Sequence, residues 1–439
     1  MNRKEAEDYV YKSYLKAERF QSYDKKDSVK RNPQFSRDII REKCIAPCVV
    51  VTGSKGKGSV ANMISQVLQT KLDVGLMTSP HLVDFCERFR YNGVAISDSD
   101  FVRHIEAIRS AFDAVDASIP MDKCVSPMGI QTALALSYFN ERKTRFNVFE
   151  CGKGAKFDDV NNVRHQYAII NSIFPEHTRE LGETVEEIAA DKSHVITGEQ
   201  VCVYVAEQQP TVMDVIAQRA KAYDVPLKVY GVDFRCENIK YTVSGMQFDV
   251  VIGSDVYSDI VIPLMGEHQA RNCALALCLC RDVLGSFDES AVKSNLRAID
   301  WPGRMEILST QPFVMLDACI NSASTVNVKS VLEFLGINKY TLVVGIPDDK
   351  DYAGVVASMQ GNAAYTILTK SQNAHYVFTE KQKARLATLG IDAILTDSVA
   401  GAIHEAKMKG LPIIILGTTS VVSEVKIYIL SVGKRSVGL

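Results

Sequence analysis

The stretch Cys48–Val60, C-V-V-V-T-G-S-K-G-K-G-S-V, decides the architecture. The β-branched run Val49, Val50 and Val51 predicts a buried strand, and Gly53, Gly56 and Gly58 then permit a tight turn before a helical pattern begins. Such a turn cradles phosphate. Backbone N–H groups along Gly53, Ser54, Lys55, Gly56, Lys57 and Gly58 can face an anion without Cβ atoms in the way, and the helix N-terminus adds positive potential. Lys57 is placed to reach terminal phosphates and Ser59 to hold a magnesium ion. The spacing departs from the common P-loop, because the residue five before Gly56 is Val51 and Gly58 separates Lys57 from Ser59. The plainer alternative is a glycine-rich turn with a solvated lysine. Three glycines, a lysine and a serine directly after an apolar run weigh against it.

Around this stretch the chain reads as a globular protein. At 439 residues it exceeds one ordinary domain, and two or three are expected. Lys plus Arg (50) nearly balance Asp plus Glu (52), so no global field favours nucleic acid or an anionic membrane. No run approaches the length that spans a bilayer, and the start M-N-R-K-E-A-E-D-Y has no apolar core of a leader, so a cytoplasmic protein is expected. The eleven cysteines form no zinc-like spacing: Cys273, Cys278 and Cys280 fall inside one apolar helical pattern, and Cys44 and Cys48 have no second pair. Buried free thiols are expected.

In chain order, a helical pattern over Lys4–Phe20 is followed by a basic stretch, Asp24–Arg31, read as a solvated face. After the glycine turn, Val60, Ile64, Val67 and Leu68 recur at helical spacing, and a strand follows at Val74–Thr78. The segment Thr78–Ser97, T-S-P-H-L-V-D-F-C-E-R-F-R-Y-N-G-V-A-I-S, reads as a loop at a strand's carboxyl end, where ligands of open α/β sheets bind. Ser97-Asp98 caps a helix bearing Phe101, Ile105, Ile108 and Phe112. A helix over Ile130–Asn140 and a strand over Phe146–Phe149 deliver Glu150 to the strand's carboxyl end, ahead of a second glycine loop holding Asp158 and Asn161. The strand Tyr167–Ile173 leads to His177 and a helix ending at Lys192. Glu150, His177 and Lys192 thus come from separate strand ends and a helix, as the parts of a metal site do in such a sheet. Each alone is more simply an ordinary polar residue, and Asp191 a surface ion pair.

From Leu227 to Leu264, short alternating runs with turns at Ser244-Gly245 and Gly253-Ser254 predict an antiparallel meander, followed by an apolar helix opened by G-E-H-Q-A-R-N. Pro302 and Gly303 in D-W-P-G-R mark a boundary near 300, after which strands at Phe313–Leu316, Thr341–Gly345, Ala364–Thr369 and Pro412–Leu416 alternate with helical patterns.

Taken together, G-S-K-G-K-G-S, T-S-P-H-L with E-R, N-G and I-S, Q-x-x-N at Gln269 and Asn272, W-P-G-R, D-K-D and the terminal G-T-T-S resemble, in order, the motifs of folylpolyglutamate synthases. These belong to the Mur ligase superfamily of ATP-dependent amide ligases. The resemblance covers roughly residues 45–425. It implies a P-loop, Mur-ligase-like α/β domain with a small antiparallel insert over 1–299, and a C-terminal Rossmann-like α/β domain over 300–439. It implies ATP bound by the P-loop, Gln269, Asn272, Arg304 and Asp317, and an acid substrate near Ser79, Pro80, His81, Arg88 and Asp158. It also implies two magnesium ions on Ser59, Glu150, His177 and a carbamylated Lys192, with Lys57, Glu150, His177 and Lys192 serving catalysis. The reaction implied joins glutamate to a folate or related carboxylate through an acyl phosphate, in a monomer with small-molecule partners only.

Two other classes stay open: a ligase of the same superfamily acting on a non-folate acid or another amine, and a nucleotide-binding protein without chemistry. Departures from the family pattern matter here. Met128-Gly129 stands where the family has F-E, and Asp317-Ala318-Cys319-Ile320-Asn321 where it has D-G-A-H-N; Glu176 replaces an aspartate before His177. These changes are read as a missing carboxylate and a missing imidazole on the substrate side.

Overall fold

The computed structural model describes residues 1–20 and 32–436, so the basic stretch Asp24–Arg31 lies outside the described residues. They group into two compact units, one made of Met1–Asn238, Phe248–Ile260 and Arg271–Ile299, the other of Ile239–Gln247, Val261–Ala270 and Asp300–Leu439. The division after Ile299 lies at the Pro-Gly segment, but two pieces of the meander group with the later residues.

The first unit is built on an eight-stranded sheet. Its strands are β1 (Cys48–Thr52), β2 (Val74–Met77), β3 (Phe89–Tyr91), β4 (Val94–Ala95), β5 (Phe146–Glu150), β6 (Tyr167–Ile170), β7 (Cys202–Val205) and β8 (Leu227–Val229), in the order β4-β3-β2-β5-β1-β6-β7-β8. Pairing is parallel except at β2/β3 and β3/β4. β1 and β5 are buried along their whole length, in keeping with their mostly apolar sequences in a sheet covered on both faces; Asn147, Glu150 and Thr52 are the buried polar residues of the pair. The flanking helices include α1 (Arg3–Glu18), α2 (Arg37–Glu42), α3 (Lys57–Leu68), α4 (Asp98–Ser118) and α5 (Pro127–Glu141). Their buried faces, with Phe101, Phe112 and Phe139 prominent, form one core with Val50, Phe149 and Ile170 of the sheet.

Three strand assignments differ from expectation. The segment 78–97 is more than a loop, since β3 and β4 extend the sheet as an antiparallel edge around the turn at Asn92-Gly93. β6 stops at Ile170 because the chain beyond it serves the glycine turn instead: Ser54 N donates to Ser172 O at 2.9 Å. Leu227–Val229 is a parallel strand following the helix Pro210–Ala222, a βαβ crossover, and so stands outside the meander. The meander itself is β9 (Phe234–Thr242), β10 (Gly245–Ile252) and β11 (Asp255–Ile262), ordered β11-β10-β9. Connections this short only join antiparallel strands.

The second unit contains a six-stranded sheet of β12 (Glu306–Thr310), β13 (Phe313–Asp317), β14 (Tyr340–Gly345), β15 (Ala363–Thr369), β16 (Ile394–Thr396) and β17 (Ile413–Gly417), ordered β12-β13-β17-β14-β15-β16. All pairs are parallel except β12/β13. The edge strands β12 and β16 were not anticipated: β12 is half-exposed with mixed polarity and β16 is only three residues long. Leu342, Val344, Ile414 and Leu416 centre this unit's own core. No helix among the described residues is long and apolar enough to cross a membrane, and none of the eleven cysteines forms a disulfide.

Candidate active site

β1 runs in the middle of its sheet, between β5 and β6, so the turn after it opens where the chain's connections diverge to either side. Gly56 is the N-cap of α3 at φ +75°, a left-handed conformation that side chains resist. The turn is held tightly from behind. A Cβ at Gly56 would lie 2.5 Å from Asn171 Nδ2, and one at Gly53 would lie 2.8 Å from Asn171 Cβ. Asn171 Nδ2 in turn donates to Asn272 Oδ1 at 2.9 Å. Ser54 Oγ donates to Phe174 O at 3.0 Å and accepts from Phe174 N at 3.1 Å. Ser54 is therefore a clamp within the turn. Asn171, which sequence reasoning missed, is the buttress that joins Asn272 to the turn; its only signal was a polar residue directly after an apolar strand.

Two amines converge on the turn. Lys57 Nζ donates to Gly53 O at 3.0 Å, and Lys192 Nζ donates to the same oxygen at 2.9 Å. Lys192 is fully buried, and its amine also bonds Glu176 Oε1 at 2.8 Å. Burial lowers the Lys192 pKa, with the Glu176 carboxylate opposing the shift and the Lys57 charge reinforcing it. Glu150 is opposite Val51 in the β1/β5 ladder, and its Oε2 accepts from Ser79 N at 2.9 Å, tying the substrate segment to the strand end. His177 is exposed and starts the short helix Thr178–Leu181 at φ +47°. Ser59 is buried at the base of α3. No three His, Cys, Asp or Glu side chains converge on one point among the described residues.

In the substrate segment, Arg88 Nε donates to His81 Nδ1 at 2.9 Å and Nη1 to Gln131 Oε1 at 2.8 Å. Arg88 is buried, stacks over Phe85 at 4.8 Å, and has no carboxylate partner among the described residues. These hydrogen-bond partners are neutral, with the Glu150 charge acting from nearby, and a guanidinium so placed is suited to a ligand carboxylate. Burial, reinforced by the Arg88 charge, lowers the His81 pKa to about 4. Ser79 and Pro80 begin this segment beside Glu150.

The packing defines the surroundings of three positions. Asp158 is fully buried and its oxygens accept from Lys153 N (2.9 Å) and Val160 N (3.1 Å), so it shapes the second glycine loop from within. Asp191 is buried rather than a surface ion-pair partner, its Oδ1 accepting from Ala155 N at 2.9 Å. The position opened by Gly129 is not empty. A Cβ there would lie 2.7 Å from Asp159 Oδ1 and 2.8 Å from Ser36 Cβ, and Ser36 Oγ donates to Asp159 Oδ1 at 2.6 Å. A buried carboxylate therefore occupies the space beside residue 129, delivered from another loop.

Gln269, Arg304 and Asp317 fall in the second unit. Asp317 Oδ2 accepts from Met305 N at 2.9 Å, and Gly303 N donates to Glu306 Oε2 at 2.7 Å, so the W-P-G-R turn is held rigid. Arg304 has no partner among the described residues. Asn321 caps the turn after β13 through Ser324, and Ile320 packs against the unit's core.

A P-loop turn buttressed between parallel strands, with amines gathered on it, is the geometry of a nucleotide-phosphate cradle, and residues 51–280 match the Mur ligase middle domain family. The chain belongs to that family. Within it, the chain is 30% identical over 317 residues to the dihydrofolate synthase/folylpolyglutamate synthase of Bacillus subtilis, covering 71% of this chain and 73% of that one. It is thus a member of the folylpolyglutamate synthase/dihydrofolate synthase branch, a group of ATP-dependent ligases. It is also 29% identical over 390 residues to a probable bifunctional folylpolyglutamate synthase/dihydropteroate synthase of Halobacterium salinarum, covering 86% of this chain; it spans about half of that relative's length, 46%. The fold matches a Mycobacterium tuberculosis folylpolyglutamate synthase complexed with ADP and AMPPCP, with a TM-score of 0.85 at 24% identity, over 91% of this chain and 95% of the other.

Proposed function

We propose that this chain joins an amino acid, glutamate in the first instance, to the carboxylate of a folate-type acid with hydrolysis of ATP. The observation that carries this reading is the meeting of Lys57 and the buried Lys192 at the carbonyl of Gly53, on the turn that a nucleotide's phosphates would occupy. In the reaction, a carboxylate oxygen of the acid attacks the γ-phosphorus of ATP and ADP leaves. The amine then attacks the acyl carbon, phosphate leaves, and the amine loses a proton. Lys57 and the turn's N–H groups stabilise charge on the transferring phosphoryl group, because donors fixed beforehand need no reorganisation as charge develops. Arg88 orients an anionic group of the acid, and Arg304 offers a further unpaired cation to an anion.

Ser59, Glu150, His177 and a carbamylated Lys192 are assigned as the holders of two magnesium ions. Bound magnesium supplies charge neutralisation between phosphate oxygens. The residues fit unequally: Ser59 and Glu150 offer oxygen donors, whereas Lys192 as an amine would repel a metal. Burial disfavours the ammonium form of Lys192, and carbon dioxide added to its free amine would give an anionic oxygen donor in its place.

Release of ADP that requires an acid and glutamate together tests the activity; release independent of both would leave a nucleotide-hydrolysing or nucleotide-binding protein. For the modification, protein equilibrated with 13C-bicarbonate should give a carbamate resonance that Lys192→Ala removes. The same variant should lose turnover and regain part of it with a short carboxylic acid. A resonance that survives the substitution would rule out Lys192 as the modified residue.

A further inference from the structure

We propose that Arg3 is a positioning residue, the clasp by which α1 holds the segment carrying His81 and Arg88 in shape for the acid substrate; this rests on the function proposed above. Arg3 lies near the chain's start, far in sequence from every residue assigned so far. Its side chain is nonetheless only 21% exposed, and its two Nη groups reach that segment and the start of α4. Nε donates to Glu7 at 2.7 Å within α1. Nη2 donates to Asp84 at 3.0 Å, and Nη1 to Asp98 at 2.7 Å and to the Cys86 sulfur. The guanidinium also lies 4.6 Å from the Phe101 ring centre.

The segment that Arg3 grips is closed upon itself and leads directly to the substrate residues. Glu87 accepts from the backbone N–H groups of Leu82 (2.9 Å), Val83 (3.1 Å) and Asp84 (2.9 Å), while Asp84 caps Cys86 N at 2.7 Å. Asp84 is thus at once a cap of this turn and a ligand of Arg3. Inside the turn, the Phe85 ring lies 5.3 Å from the His81 ring and 4.8 Å beneath the Arg88 guanidinium. Tyr11 of α1 meets the same ring at 6.4 Å. The far half of α1 is fixed independently: Tyr9 OH donates to Arg109 O at 3.1 Å, Ser13 Oγ accepts from Val125 N at 2.9 Å, and Lys16 pairs with Asp116 at 2.7 Å. The helix is therefore a fixed support, and Arg3 makes its polar attachment to the turn beside the Tyr11–Phe85 contact.

A single exposed ion pair contributes little to stability, but here one planar fork binds three acceptors on the turn side and stacks on a ring. A lysine at the same place is a point charge and cannot engage them together. The consequence falls on the turn and on Arg88, not on the P-loop, whose support comes from Asn171 and Ser54.

The test compares Arg3→Ala and Arg3→Lys with the unaltered chain by hydrogen exchange and steady-state kinetics. Amides of residues 82–88 should exchange roughly ten-fold faster in Arg3→Ala, the scale of losing one charge-assisted hydrogen bond, while those of β1 and α3 are unchanged. KM for the acid should rise by about the same factor with KM for ATP unaltered, and Arg3→Lys should fall between. Exchange at 82–88 equal to that of the unaltered chain would overturn the clasp, as would a uniform rise across the first unit or a parallel rise in both KM values. If Arg3→Ala does not fold, Arg3→Lys carries the same comparison. If the unaltered chain shows no acid-dependent turnover, the proposed function fails while the exchange comparison still decides the role of Arg3.

Discussion

Replacing Gly56 by alanine probes how the P-loop turn is held. The new Cβ would sit 2.5 Å from Asn171 Nδ2 and 3.0 Å from Asn272 Nδ2 and Oδ1, at a backbone φ of +75°. A left-handed conformation costs an L residue about 1–2 kcal/mol. Pushing the Asn171 amide aside sacrifices its 2.9 Å bond to Asn272, about 1 kcal/mol net and more where a buried partner is left unsatisfied. Gly56→Ala should therefore destabilise the turn by about 2–4 kcal/mol in total. In an Asn171→Ala background the nearest obstacle is gone and the hydrogen bond is already absent, so the same substitution should cost only the backbone term. The two changes should be less than additive by about 1–2 kcal/mol, well beyond the roughly 0.5 kcal/mol seen for independent sites. Urea denaturation of the four proteins measures the cycle, and ATP affinity follows it at tenfold per roughly 1.4 kcal/mol. Strict additivity, or Gly56→Ala binding ATP like the unaltered chain, would refute the claim that Asn171 buttresses the turn.

Lys57→Ala should abolish turnover while leaving the denaturation midpoint nearly unchanged, because Lys57 bonds only the Gly53 carbonyl and supports no core; a folded, fully active variant would remove the lysine from the mechanism. His81 should stay neutral across the working range, since its pKa is lowered to about 4 by burial and the Arg88 charge. Its folded pKa lies below the unfolded value of about 6.5, so its stabilising contribution is full above that pH and is lost as pH falls toward 4. KM for the acid measured from pH 5.5 to 8 should show no inflection that His81→Gln abolishes.

What could be read from the sequence was what local pattern encodes. The strand–glycine–helix order around Val51 and Lys57 dictates a cradle, and Glu150 falls at the end of a strand parallel to β1, as the alternation of elements required. Lys192 could be placed on its helix, but not its reach to Gly53, because a side chain's destination depends on which helix packs over which strand end. Asn171, Asp159 and Arg3 were invisible for the same reason. Their partners, Asn272, Ser36 and Asp84, are far away in sequence, and no periodicity links them. Asp191 was misjudged because a charged residue beside a lysine resembles a solvated pair until its burial is known.

The substitutions on the acceptor side now separate into two kinds. At Gly129 the absent side chain is a packing requirement. Ser36, which begins α2, and Asp159 fill the space, so Gly129→Glu would force a second carboxylate against the buried Asp159 Oδ1, where a side chain would already meet an atom at 2.7 Å. That variant should unfold at lower denaturant rather than recover a family function, since like charges in a buried site cannot both ionise without large cost. Ile320 is different. It packs on the edge of the second unit's core. Losing the imidazole expected there costs about 1–3 kcal/mol, roughly five- to more than a hundred-fold in affinity. The chain should accordingly bind ATP normally yet use glutamate or a folate less well than a relative with D-G-A-H-N, and Ile320→His should lower KM for the amino acid without changing KM for ATP. Efficient, glutamate-specific extension of tetrahydrofolate by the unaltered chain would show that the imidazole is not needed, and the idea of a diverged acceptor would have to be dropped.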